Sequence, residues 1–174
     1  MQATQSRETS CRFTVRREVC SLISYAQNFE DIILNRVFHN VTKGRYIDIG
    51  GFDPDTDSVT KHFYDKGWSG ANVEPIQRFH RKCEKQRPRD WNIKGVVGAA
   101  VGTVSFNEWG DSGLSTYRET FDENAIIKMS FSRTIHSVPM TTLAEITSQL
   151  GPLEIEFLKI DVEGAERDVL LGGE

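Results

Sequence analysis

The stretch from Arg45 to Ser58, RYIDIGGFDPDTDS, constrains the fold more than any other part of the chain. Tyr46, Ile47 and Ile49 are aromatic or β-branched, which suits a buried strand, and Gly50 and Gly51 follow where the backbone must turn. Asp57 or Ser58 then offers an oxygen to the free amides of a helix whose apolar positions Val59, Phe63 and Trp68 fall near helical spacing. The stretch reads as strand, turn and helix.

The same logic recurs along the chain. SYAQNFEDIILNRVF, from Ser24 to about Asn40, spaces Tyr25, Phe29, Ile32, Ile33 and Val37 as the apolar face of a helix whose polar face carries Gln27, Asn28, Glu30 and Asp31. SGANVEP is a short strand ending at Glu74 and Pro75, with a helix from about Ile76 to Gln86 after it. The basic run on that helix, Arg78 to Arg87, reads as a solvated face. An apolar run spans Ile93 to Val101, Thr103 to Trp109 alternates as a strand, and Gly110 to Ser132 is a long polar loop suited to substrate contacts. His136 to Met140 predicts a strand, Thr142 to Gln149 a helix, and EIEFLKIDVEG a strand through Ile160. Alternating strands and helices predict an α/β fold, a parallel sheet with helices on both faces.

A chain of 174 residues is about one domain long, with residues 1–23 a loosely attached arm before a domain over residues 24–174. Its formal charge of −4 provides no broad basic surface, so nucleic acid is not expected as a partner. Cys11, Cys20 and Cys83 form no metal knuckle or disulfide framework, which fits a reducing compartment. With no apolar run long enough to span a membrane, a cytoplasmic location is expected.

In a parallel sheet the strand ends open on one side, so Asp48, Glu74, the Ala99 to Ala100 region and Asp161 are expected to meet in one crevice. Glu74 follows the first turn by about two dozen residues, where an acidic side chain accepts hydrogen bonds from the hydroxyls of an adenosine ribose. Asp53, Asp55 and Asp57 would repel the pyrophosphate of a dinucleotide, and the turn lacks phosphate-binding glycines, which disfavours a nicotinamide-dependent oxidoreductase. S-adenosylmethionine carries no phosphate and bears two cationic groups, so these charges favour it.

The blocks SYAQNFED, YIDIGGFDPDTDSVT, FYDKGWSGANVEP, VVGAAVG, GLST, VPMTTLAEI and FLKIDVEGAE together resemble the FkbM family of S-adenosylmethionine-dependent methyltransferases, over residues 24–172. The resemblance implies a Rossmann-like class I methyltransferase sheet and O-methylation of a hydroxyl on a sugar, glycan or related small molecule. It implies the methionine portion of the cofactor at Asp48, Gly50, Gly51 and the turn through Asp53 and Ser58. Glu74, with Pro75 beside it, would take the ribose, and Ala99 and Ala100 the adenine edge. Gln27, Asn28 and Glu30 would close over the pocket.

Asp161 and Glu163 would face the reacting groups, one orienting the acceptor hydroxyl or serving as base, and His136 is a further candidate base. Two carboxylates with no third ligand do not make a metal site, so none is expected. Relatives continue past the fourth core strand and its helix, where this chain stops at Glu174. The expectation is a truncated sheet whose exposed edge would offer pairing to a second copy, with an inactive or partner-dependent binding domain as the alternative.

Overall fold

The computed structural model describes residues 23–110, 114–118, 132–152 and 154–174. The arm expected over residues 1–23, apart from Ile23, and most of the loop expected from Gly110 to Ser132 lie outside the described residues.

Four parallel strands form the main sheet: β1 (Arg45–Ile49), β2 (Ser69–Val73), β3 (Trp91–Ile93) and β7 (Phe157–Ile160), in the order β3-β2-β1-β7. Strand β1 is central, pairing with β2 on one side and β7 on the other, with Asp48 opposite both Asn72 and Lys159. Because side chains alternate along a strand, β1 sends Ile47 and Ile49 to one face and Tyr46 and Asp48 to the other.

The Ile47 face packs with Ala71 and Val73 against Ile146 of α4 (Leu143–Leu150) and Val169 of α5 (Glu166–Leu171). The Tyr46 face packs against Phe63 of α2 (Lys61–Asp65), Trp68, Phe157, and Leu34 and Phe38 at α1 (Glu30–Val37). Helices therefore cover both faces, as a parallel sheet requires. Among the described residues no helix is long and apolar enough to cross a membrane.

A second sheet was not foreseen. The run from Ile93 splits at Gly95, so that β4 (Val96–Val97) joins β6 (Arg133–Thr141) and β5 (Gly102–Trp109) in the order β4-β6-β5, with β5 and β6 antiparallel. Ile76 and Phe79, at the start of α3 (Gln77–Gln86), pack on Val96, Phe106 and Val138 and join this sheet to the main body.

Two helix expectations change. α1 begins at Glu30 because Phe29 is left-handed, with φ 64°, and Gln27 and Asn28 precede the helix in a turn. Its apolar stripe is also divided, with Leu34 packed inward. Phe29, Ile33 and Val37 are exposed, while Asp31 is fully buried because it accepts hydrogen bonds from Ser24 Oγ (2.7 Å), the Tyr25 amide (2.7 Å) and the Ile32 amide (2.9 Å). In α2 the N-cap is Thr60 rather than Asp57 or Ser58, and Trp68 lies beyond the helix.

Candidate functional site

Glu74 follows β2 directly, where its amide donates to the Ile93 carbonyl and so extends the pairing with β3. Its side chain is 3 % exposed, and its two oxygens accept from the backbone amides of Phe52 and Ile76, each at 2.8 Å. Burial pushes the Glu74 carboxyl up to about 7, against the lowering effect of those two amides and Lys159. A carboxylate has about four lone-pair sites, so two remain for a diol. An apolar cavity of about 50 Å³ adjoins it, walled by Ile49, Val73, Ile76, Val96, Val97 and Phe106, with Thr116 and Tyr117 supplying polar atoms.

Gly50, Phe52 and Asp161 also line a more polar cleft of about 400 Å³, so these three residues stand between the two spaces. Gln27, Glu30, Gly51, Asp57, Lys159 and Glu163 complete much of its wall. Gly50 makes the turn between them with φ 78°, a conformation that an L side chain resists, and its amide and that of Gly51 donate to the Val73 carbonyl. Phe52 is also left-handed, φ 46°, held by Glu74 at its amide and by Phe79 against its ring, with centroids 4.2 Å apart.

Beneath the cleft a buried polar chain fixes the loop between β1 and α2. Asp48 accepts from Thr60 Oγ1 at 2.7 Å, and Thr60 accepts from Arg87 Nη1 at 2.6 Å. Arg87 Nη2 donates to the Pro54 carbonyl (2.5 Å) and Ser58 Oγ (2.7 Å). Lys159 Nζ donates to the Gly50 carbonyl at 2.5 Å and lies 3.2 Å from Asp48 Oδ1 and 3.7 Å from Asp161 Oδ2. Sequence reasoning did not single out Lys159, Thr60 or Arg87. The signal available for Lys159 was its place two residues before Asp161, a spacing that gives two strand residues a common face, and the register with β1 makes that the Asp48 face.

The structure therefore brings together Gln27, Glu30, Asp48, Gly50, Gly51, Glu74, Pro75, Asp161 and Glu163 around or beneath the two spaces. Asn28 instead folds onto Glu30, donating from its amide and side chain to that carboxylate. Asp53 caps its own turn, accepting from the Asp55 and Thr56 amides and from Lys82 at 2.7 Å. Burial raises its carboxyl, but Lys82 and the two amides together hold it below the usual range. Ser58 is buried on Arg87 and does not line the cleft.

Lys82 and Arg87 therefore hold the loop rather than forming part of a solvated basic face. Ala99 and Ala100 occupy an exposed bend outside the cavity, and Gly95, Val96 and Val97 stand there in their place. His136 lies on β6 with Nε2 2.7 Å from Glu108 Oε2, in a separate groove with Arg78 and Lys94.

Of the acidic groups at the mouth, Glu163 is left-handed, φ 50°. Burial, then Asp161 and Glu166, raises its proton affinity. A raised proton affinity at the mouth of the cleft suits Glu163 to accept a proton. Among the described residues no group of three or more His, Cys, Asp or Glu is arranged to hold a metal ion.

A crevice at the carboxyl ends of parallel strands, with a glycine turn after β1 and a buried acid after β2, defines a Rossmann-like α/β domain. Residues 48–174 match the methyltransferase FkbM domain, and the chain belongs to that family of methyltransferases. No curated protein and no solved structure matches the chain.

Proposed function

We propose that this chain uses S-adenosylmethionine to methylate a hydroxyl of a sugar, glycan or related small molecule. The observation that carries the reading is Glu74, a buried carboxylate with acceptor capacity to spare, in the wall of an apolar cavity that shares Gly50, Phe52 and Asp161 with a polar cleft. The donor set suits such a nucleoside: Glu74 for the ribose, Val96 and Val97 for the base, and Asp161 for the ammonium of the zwitterionic amino-acid end. When bound, the cofactor supplies an electrophilic methyl group on a sulfonium.

The chain's own contribution is alignment and proton handling. Lining up an acceptor oxygen for displacement at carbon accounts for most of the acceleration expected of such a site. Gly50 and Gly51 keep the cleft floor free of side chains, and the Asp48–Thr60–Arg87 chain holds that floor rigid. Glu163 takes the proton of the acceptor hydroxyl.

Calorimetric titration with S-adenosylmethionine and S-adenosylhomocysteine, on the native chain and on Glu74→Ala, tests the cofactor. Binding that weakens at least roughly tenfold in the variant is expected, the size of one or two lost charge-assisted hydrogen bonds. A folded chain that binds neither ligand would overturn the proposal. A panel of sugar and glycan acceptors with labelled cofactor then tests the hydroxyl, and absence of any methylated product would sink that half.

A further inference from the structure

Among the described residues that line the polar cleft Lys159 is the cation, and Glu30, Asp57, Asp161 and Glu163 are the acids. It reaches the cleft from β7 because parallel register sets it opposite Asp48, on the polar face of β1. Its ammonium donates to the Gly50 carbonyl and lies within 4 Å of two carboxylates, Asp48 and Asp161, so its position is over-determined. One positive charge thus stands against a surplus of negative ones, at the floor of the space where a charged ligand would lie.

We propose that Lys159 is a positioning residue that sets the charge selectivity of the cleft, holding the glycine turn and offsetting the acidic wall. This rests on the cofactor reading above. The acidic wall alone would hold a sulfonium more tightly than the neutral thioether left after methyl transfer. Lys159 reduces that difference, so that neither donor nor product is favoured by the full field of the wall. In the half-buried site its charge is screened far less than at the surface. The groups facing it are Asp48 from β1, Asp161 from the strand end and, farther off, Glu74 after β2, and together they keep it protonated against the opposing effect of burial.

Titration of Lys159→Met, Lys159→Arg and the charge-balanced pair Asp48→Asn with Lys159→Met tests this, using both S-adenosylmethionine and S-adenosylhomocysteine. In Lys159→Met the affinity ratio should move toward the sulfonium by at least roughly tenfold, the effect of one unit charge at about 12 Å with an effective dielectric of about 20. Lys159→Arg and the charge-balanced pair should return the ratio toward the native value, and the shift should shrink with added salt. Equal weakening of both ligands, with the ratio unchanged, would reduce Lys159 to a structural brace and overturn the proposal. If Lys159→Met does not fold, Lys159→Gln, which keeps a donor for the Gly50 carbonyl without the charge, decides: a ratio moved toward the sulfonium supports the proposal, and a native ratio overturns it. Failure of the native chain to bind either ligand would instead strike the cofactor reading.

Discussion

Gly50 and Asp161 meet where β1 and β7 end, so closely that a Cβ on Gly50 would collide with the Asp161 carbonyl oxygen. The Asp161 amide also donates to the Ile49 carbonyl, which closes the two strand ends on each other. Gly50→Ala therefore meets both a clash with backbone and a φ of 78°, and the site's two halves must part to admit it. A loss on the order of 3 kcal/mol or more is expected. Thermal unfolding would show it, with binding of S-adenosylhomocysteine lost beside it.

Glu74 links the site to pH with two opposite signs. Folded Glu74 keeps its proton up to about 7, whereas the unfolded chain releases it near the ordinary 4.5. Between those values the folded state holds more protons, so this group's contribution to stability falls as pH rises through the window and levels off above it. Ligand affinity should run the other way, improving as pH passes through about 7, because the ionised carboxylate is the better acceptor for ribose hydroxyls. Glu74→Gln should flatten both curves, and an unchanged affinity profile in that variant would exclude Glu74 as the titrating group.

Arg87 is 3 % exposed and satisfies three acceptors on the loop between β1 and α2. An ammonium cannot reproduce the guanidinium fork, so Arg87→Lys should cost about 2–4 kcal/mol despite keeping the charge. That corresponds to a midpoint lowered by roughly 5–10 °C in a domain of this size. Ligand affinity should fall in parallel, since the same loop carries Phe52 and Asp57; a midpoint within a degree of native would contradict the network's importance.

Asp31 anchors the segment that brings Gln27 to the cleft. Asp31→Ala would strand the Tyr25 amide, leave the Ile32 amide to the Phe29 carbonyl alone, and cost about 1–3 kcal/mol. Limited proteolysis should then cut between residues 24 and 29 faster than in the native chain, and equal rates would argue against the anchoring role.

Tyr46 donates to Asp90 at 2.6 Å, and Asp90 also accepts from the Gly70 amide and Asn72 at 2.9 Å, a buried knot that pins the start of β3 to β2. Tyr46→Phe removes one donor from a carboxylate that burial already disfavours, and about 1–3 kcal/mol of stability should be lost without change in ligand affinity. Paired urea unfolding and titration would separate the two effects.

The parts of this fold that could be read along the chain are those whose determinants are local. β1, the turn at Gly50, the acid after β2 and the strand before Asp161 each announce themselves by β-branched runs, glycine or a strand-end charge. α1 was misread because hydrophobic periodicity assumes that apolar side chains face inward. There the decisive inward group is the carboxylate of Asp31, which makes its bonds to a turn six and seven residues earlier.

The second sheet escaped for a related reason. β4 is a two-residue strand whose partner lies more than forty positions away, so its pairing leaves no periodic trace. Ala99 and Ala100 have the small side chains a close approach would use, yet the chain turns outward before reaching them. His136 lies in a separate groove, since β6 directs it toward Glu108.

The pairing of Asp48 with Lys159 across β1 and β7 also acts on the fold as a register lock. A strand shifted by one residue turns every side chain to the opposite face. For β7 such a slip would drive an ammonium into the layer formed by Ile47, Ile49 and Ile146 and leave Asp48 buried beside Leu158 or Ile160. Mispaired sheets would thus be penalised twice, by wasted apolar surface and by two separated charges, and the groups that tune the cleft would also be those that proofread its assembly.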